Sequence, residues 1–288
     1  MKSVSIKALF LLFCFLPLYA SANSIREGDS LYHAGRYQEA LAYYLKPDAV
    51  SNPAIMNRIG NMHDRGRGTP ENPQEAIHWY RRSAETGFAA AQFNLGLMYN
   101  KGRGVPQNFS EAARWFMRAA EQGHADAAYN LGYYYATGTG VPQDYKKALY
   151  YYHKAVKHGD TTAYANIGLI YDKGNGVPRD PNRAVQYYIM GAMAGHAHAQ
   201  ALLAVQYLVG DGVPKDKRRA AYWFEKAANN GYPIAMQQMV KIYTYGRYGY
   251  DRDPEKAAYW QNRYNQTIDE QRKNGSRSAE PPLPLPND

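Results

Sequence analysis

The chain has 288 residues, 34 Lys and Arg against 25 Asp and Glu for a net charge of +9, and a single cysteine. One cysteine excludes an internal disulfide framework and any zinc site built from thiolates, and cationic side chains that are scattered rather than clustered favour acidic partners only mildly. The 28 tyrosines suit both cores and binding faces, because each combines apolar area with a polar tip.

In chain order, residues 1–22 read as an export signal. Lys2 and Lys7 give a positive start, Ala8 to Leu18 is an apolar run too short to span a bilayer, and Ala20-Ser21-Ala22 has the small-x-small pattern that a signal peptidase cuts after. Cleavage after Ala22 would remove Cys14, leaving no thiolate for nucleophilic or metal chemistry. Phe13 before Cys14 argues against a lipid anchor. No later run is long and apolar enough to be a transmembrane segment, so the mature protein is expected in the periplasm or secreted.

Residues 24–51 are expected to form an N-terminal capping helical hairpin. Ala40 and Tyr43-Tyr44 lie 36 residues before Ala76 and Trp79-Tyr80, which places the hairpin in register with the next segment. From 52 to 267 the chain repeats itself. YNKGRGVP at Tyr99 returns as YATGTGVP at Tyr135, YDKGNGVP at Tyr171 and YLVGDGVP at Tyr207, a step of 36 residues each time. A phosphate-binding loop succeeds a strand, ends in Lys-Ser/Thr and occurs once. This loop does none of these, so its glycines are expected to serve structure.

Other columns keep the same step. Gly60, Gly96, Gly132 and Gly168 precede Ala204, which points to a need for smallness at a close helix crossing. Asn72, Asn108, Asp144, Asp180, Asp216 and, one residue late, Asp253 stand where N-caps of a second helix belong. Aromatic pairs such as Trp79-Tyr80 and Trp115-Phe116 come next, and glycines at 87, 123, 159, 195 and 231 close the units. A fixed period in this range means a solenoid of helix-loop-helix units, each burying its apolar stripe against its neighbours.

The stretch LGLMYNKGRGVPQNFSEAARWFMRAAEQGHADAA, 95–128, resembles the Sel1-like repeat, with its Leu-Gly, Tyr, Gly-x-Gly-Val, Ala, Trp-aromatic, Ala-Ala and Gly in order. The resemblance implies an all-α, right-handed superhelical solenoid of about six 36-residue repeats, and GDSLYHAGRYQEALAYYLK ahead of them is similar to a tetratricopeptide hairpin. It also implies protein–protein interaction rather than catalysis. Two binding roles fit, a scaffold or adaptor in an envelope, secretion or host-directed process and a periplasmic immunity protein that neutralises a toxic effector; the disfavoured alternative, from another class, is an enzyme acting on cell-wall material or β-lactams. Terminal departures are Thr69 in the first loop, Val240 in the glycine column, and a final loop one residue longer. Residues 271–288 are polar and then Pro-rich, and are expected to be a disordered tail.

No catalytic, cofactor or metal site emerges from the residues. His196 and His198, and His153 and His158, have the wrong spacing for one helix face. The loop bases Arg65, Arg67, Lys101, Arg103, Lys173 and Arg179 are read as solvated charges, and export disfavours nucleic acid. The candidate partner-binding surface is the concave face lined by first helices. Residues two before and two after the leucine column, with those one turn on, place Phe93, Leu97, Asn100, Tyr129, Tyr133, Leu169, Asp172 and Lys241 there. Phe93, Leu97, Tyr129 and Tyr133 would form an apolar, aromatic patch, the kind of surface that dominates binding hot spots.

Overall fold

The computed structural model describes residues 23–273, and every regular element among them is a helix. Residues 1–22, where an export signal is expected, and the expected tail from 274 onward lie outside the described residues. The chain divides into two compact units, the first ending at Gln143 and the second beginning at Asp144. The first holds α1 (23–33), α2 (Tyr37–Tyr44), α3 (Pro53–Arg65), α4 (Pro73–Glu85), α5 (Ala89–Lys101), α6 (Phe109–Glu121) and α7 (Ala125–Thr137). The second holds α8 (Tyr145–Lys157), α9 (Ala163–Lys173), α10 (Pro181–Met193), α11 (Ala197–Val209), α12 (Lys217–Asn229), α13 (Pro233–Tyr245) and α14 (Pro254–Lys273). α14 therefore runs three residues into the segment whose composition predicts the tail.

The Asn/Asp column caps the second helices. Asn72, Asn108, Asp180 and Asp216 each accept from a backbone N–H three residues on, at 2.9–3.1 Å. Asp144 accepts from Lys146 and Lys147, and Asp253 from Lys256. Each such cap is worth about 1 kcal/mol. The N–H of Asn108 also donates to the Tyr99 carbonyl at 2.9 Å, as Asn72 does to His63 and Asp216 to Tyr207, so the loop is drawn closed over the end of the first helix. In the last loop Asp253 still reaches the Tyr243 carbonyl. Its extra residue is taken up beside Tyr248, the one described non-glycine residue with a left-handed φ, at 61°.

The glycine column marks a close approach, and a ring makes it. A Cβ on Gly96 would stand 2.7 Å from the Phe116 ring, and one on Gly60 2.7 Å from the Tyr80 ring. Tyr80, Phe116, Tyr152, Tyr188 and Phe224 are all almost fully buried, each contributing about 2–3 kcal/mol through apolar area removed from water. The N-terminal hairpin uses the same device: Gly28 faces the Tyr44 ring at 2.6 Å. Its loop is shorter than those of the repeats, so its glycine comes 32 rather than 36 residues before Gly60.

The second glycine of each Gly-x-Gly has a different task. Gly104, at φ 73°, lies against the backbone of Pro73, where a Cβ would come within 2.7 Å of the carbonyl carbon. Pro73 is the first residue of the previous repeat's second helix, so the loop is a seam between repeats. Gly68 seats on Tyr37 in the same way and joins the first repeat to the hairpin.

Candidate functional site

On the first helices of the first unit, Phe93, Leu97 and Tyr129 are half-buried and Tyr133 is 47% exposed. The Phe93 ring stacks on His124 at 4.4 Å between centroids and stands 5.8 Å from Phe116. Phe93 is thereby fixed at the junction of α5, α6 and α7, with part of its surface open. In the second unit the same two columns hold Ala165, Ala201 and Val205, all buried, the half-buried Leu169, and the exposed polar residues Gln237 and Lys241, so the aromatic residues of these columns all lie in the first. Beside it, Asn94 donates to Asn57 at 2.9 Å and the Tyr80 hydroxyl to Asn61 at 3.0 Å, giving α3 a polar continuation of the face. A cleft of about 590 Å³ opens at the turn end of the same unit, lined by Pro53, Thr86, Phe88, Gln122 and His124 among others. His124 forms one wall of that cleft and the stacking platform for Phe93.

The other residues expected on this face have mixed surroundings. Asn100 accepts from the Tyr134 hydroxyl at 2.6 Å, and burial pushes that phenol up to about 12, so the pair is a neutral tie between α5 and α7. Leu169 packs against the buried core of the second unit. Asp172 accepts from the Tyr188 hydroxyl at 3.5 Å and from Gln206 at 3.3 Å. Burial raises its carboxyl above the usual range, Asp211 adds to the rise and Arg179 opposes it. Lys241 is exposed. Asn100, Leu169 and Asp172 thus serve the fold at least in part.

Sequence reasoning missed a loop-side set of ion pairs. Arg103, the variable residue of its Gly-x-Gly, reaches back one repeat to Asp64 at 2.7 Å and Glu71 at 3.0 Å. In the second unit the same three columns are Asp172, Arg179 and Asp211, and Arg179 pairs with both carboxylates. The charges have exchanged places and the clasp is retained. Arg67 makes the corresponding reach to the Tyr32 hydroxyl at 2.9 Å. Two of the loop bases read as solvated charges, Arg103 and Arg179, therefore join successive repeats, and a third, Arg67, joins the first repeat to the hairpin. The signal was present as opposite charges 32 and 39 residues apart, a spacing that only the repeat makes meaningful.

Six consecutive segments, 53–88, 89–124, 125–160, 161–196, 197–232 and 235–260, match the Sel1 repeat model. The chain belongs to the Sel1 repeat family. A Sel1 repeat protein from Oxalobacter formigenes of known structure is 45% identical with a TM-score of 0.79, over 90% of this chain and 99% of that one. A protective antigen present in uropathogenic Escherichia coli strains, also a Sel1-like fold, is 25% identical with a TM-score of 0.75 over 89% of this chain; the match spans 56% of that protein. An immunity protein from Pseudomonas aeruginosa, 17% identical over 81% of this chain and 89% of that one with a TM-score of 0.50, shares the fold. No curated protein matches the sequence. The α1–α2 hairpin lies outside the matched segments, although its Gly28–Tyr44 contact repeats the packing of the Sel1 units. Sel1 repeats are protein-interaction architecture, and that much of the functional reading applies to this chain.

Proposed function

We propose that this Sel1 repeat protein is an exported adaptor that holds a partner protein on the first-helix face of its first unit. The observation that carries the reading is Tyr133, nearly half exposed beside half-buried Phe93, Leu97 and Tyr129. Large aromatic side chains already held by packing lose little freedom on binding, and that is why they anchor interfaces. The Asn57–Asn94 amides next to them supply donors and acceptors for an extended backbone, and the cleft walled by His124 gives such a segment a place to continue. Export rests on residues 1–22 and puts the encounter in the periplasm or outside the cell.

Crosslinking capture from envelope extracts tests the proposal. The wild-type protein is expected to retain one polypeptide stoichiometrically, and a Phe93→Ala/Tyr129→Ala/Tyr133→Ala variant with unchanged helical circular dichroism is expected to lose it. Retention by the folded variant would place the binding surface elsewhere. The captured polypeptide decides the role: a toxin would make the protein an immunity factor, an assembly component a scaffold, and a host protein a host-directed factor.

A further inference from the structure

A repeat protein carries its own controls, because each position recurs in the same environment. The outward positions of the second helices are polar or charged almost throughout. Position 190 corresponds to Arg82, Arg118, Lys154 and Lys226, and position 193 to Glu85, Glu121, Lys157 and Asn229. On α10 these positions are Met190 and Met193, 48% and 75% exposed, with Ile189 beside them at 38%. Three apolar side chains at i, i+1 and i+4 form one exposed ridge that the fold does not require, since four other repeats do without it.

The flanking helices are equally distinctive. α8 (YKKALYYYHKAVK), α10 (PNRAVQYYIMGAM) and α12 (KRRAAYWFEKAAN) carry nine basic residues and one acid, Glu225. Lys147 and Arg219 pair with the capping Asp144 and Asp216 and Arg183 lies over the Tyr171 ring, while Lys154, Lys157 and Lys226 stand in the outward columns. In the first unit, α4 (PQEAIHWYRRSAE) and α6 (FSEAARWFMRAAE) each carry two of either sign. Successive second helices of the second unit run side by side. His153 of α8 meets the Tyr187 ring of α10 at 5.7 Å, and Asn230, which caps α12, donates to the Gly195 carbonyl just beyond α10. Tyr150 and Tyr222, 55% and 48% exposed, stand on the outward faces of α8 and α12, with Lys154 and Lys226 over their rings.

We propose that the outward face of α8, α10 and α12 docks on an anionic lipid surface. Apolar tips flanked by lysines and arginines, with tyrosines at the boundary, are the composition of interfacial anchors, in which apolar groups enter the headgroup region and cations pair with lipid phosphates. The ridge favours lipid over a protein partner: Met193 projects rather than lining a groove, and a headgroup layer receives a projection that a protein could accept only in a matching cleft. This face is separate from the partner-binding face proposed above and does not depend on it.

Co-sedimentation of the chain from Asn23 to Asp288, which leaves out the apolar run Ala8–Leu18, provides the test. Vesicles of phosphatidylcholine alone are compared with vesicles that also contain phosphatidylglycerol. Binding to the anionic vesicles only, weakened by salt, is expected. The decisive variant is Met190→Lys/Met193→Asn, which restores the residues of the α12 repeat and adds a positive charge. Loss of about tenfold in vesicle affinity is expected, because the apolar contribution goes while the electrostatic one is kept. Lys154→Glu/Lys226→Glu, also at the surface, is expected to lose binding as well. Undiminished binding by the methionine variant would overturn the proposal in favour of charge attraction alone. Failure of the wild type to bind anionic vesicles would overturn it too, as would binding only to an acidic amphipathic peptide, which would make the ridge a protein-docking face.

Discussion

Gly96 shows what the repeat demands of one residue. A methyl group there meets the Phe116 ring at 2.7 Å, and that ring cannot retreat, with Phe93 and Tyr134 within 6 Å of it on other sides. Overpacking of this kind costs about 1–3 kcal/mol, against a gain of about 1 kcal/mol in helix propensity. Gly96→Ala is therefore expected to lower stability by up to about 2 kcal/mol in urea unfolding, and Gly96→Ala/Phe116→Leu to recover part of the loss. His198 makes a second prediction. It is stacked on Tyr232 at 5.8 Å, and burial pushes its imidazole down to about 4. The unfolded chain takes up the proton near pH 6.5 and the folded chain does not, so this contribution is complete above 6.5 and is lost as pH falls toward 4. Stability is expected to drop across that window by at most about 3 kcal/mol, and His198→Phe to flatten the slope in denaturation measured at several pH values.

At the scale of elements, much of the architecture was legible because local chemistry decides it. Asn108 and its column announce helix starts, Gly102 and its column announce helix ends, and tertiary packing does not revise either. What lies between repeats was less legible. The sequence calls for smallness at Gly96, but that a ring from the partner helix fills the space emerges only from how the pair packs. Arg103 reads as a loop charge until its loop is seated one repeat back, beside Asp64 and Glu71. Phe93 and Tyr133 occupy related columns, yet Phe93 is held by His124 while Tyr133 remains exposed, a difference set by neighbouring helices. The clasp yields its own prediction. Arg103→Asp alone places like charges together and is expected to destabilise. Glu71→Arg/Arg103→Asp reproduces the arrangement of Asp172, Arg179 and Asp211 and is expected to restore most of the loss. A double-mutant cycle should return a coupling of about 1 kcal/mol or less that shrinks in salt, because Arg103 is partly exposed.

Across the whole molecule, the two units share one repeat and differ in what they leave open. The first sets exposed Tyr133 beside half-buried Phe93 and Tyr129 on its first helices and carries balanced charge on α4 and α6. The second has no aromatic residue in the corresponding first-helix columns and carries apolar Met190 and Met193 with Lys154, Lys157 and Lys226 in the outward columns of α8, α10 and α12. Selection for packing alone would not separate the units in this way, since both satisfy the same caps, glycines and rings. The first unit is therefore the one expected to receive the partner protein. The most direct measurement is photocrosslinking in living cells with a benzophenone amino acid placed at Tyr133, and separately at Asn229 on the outward side of α12. A single polypeptide joined through position 133 and absent from position 229 is the predicted result. The same polypeptide joined through position 229 alone would contradict it.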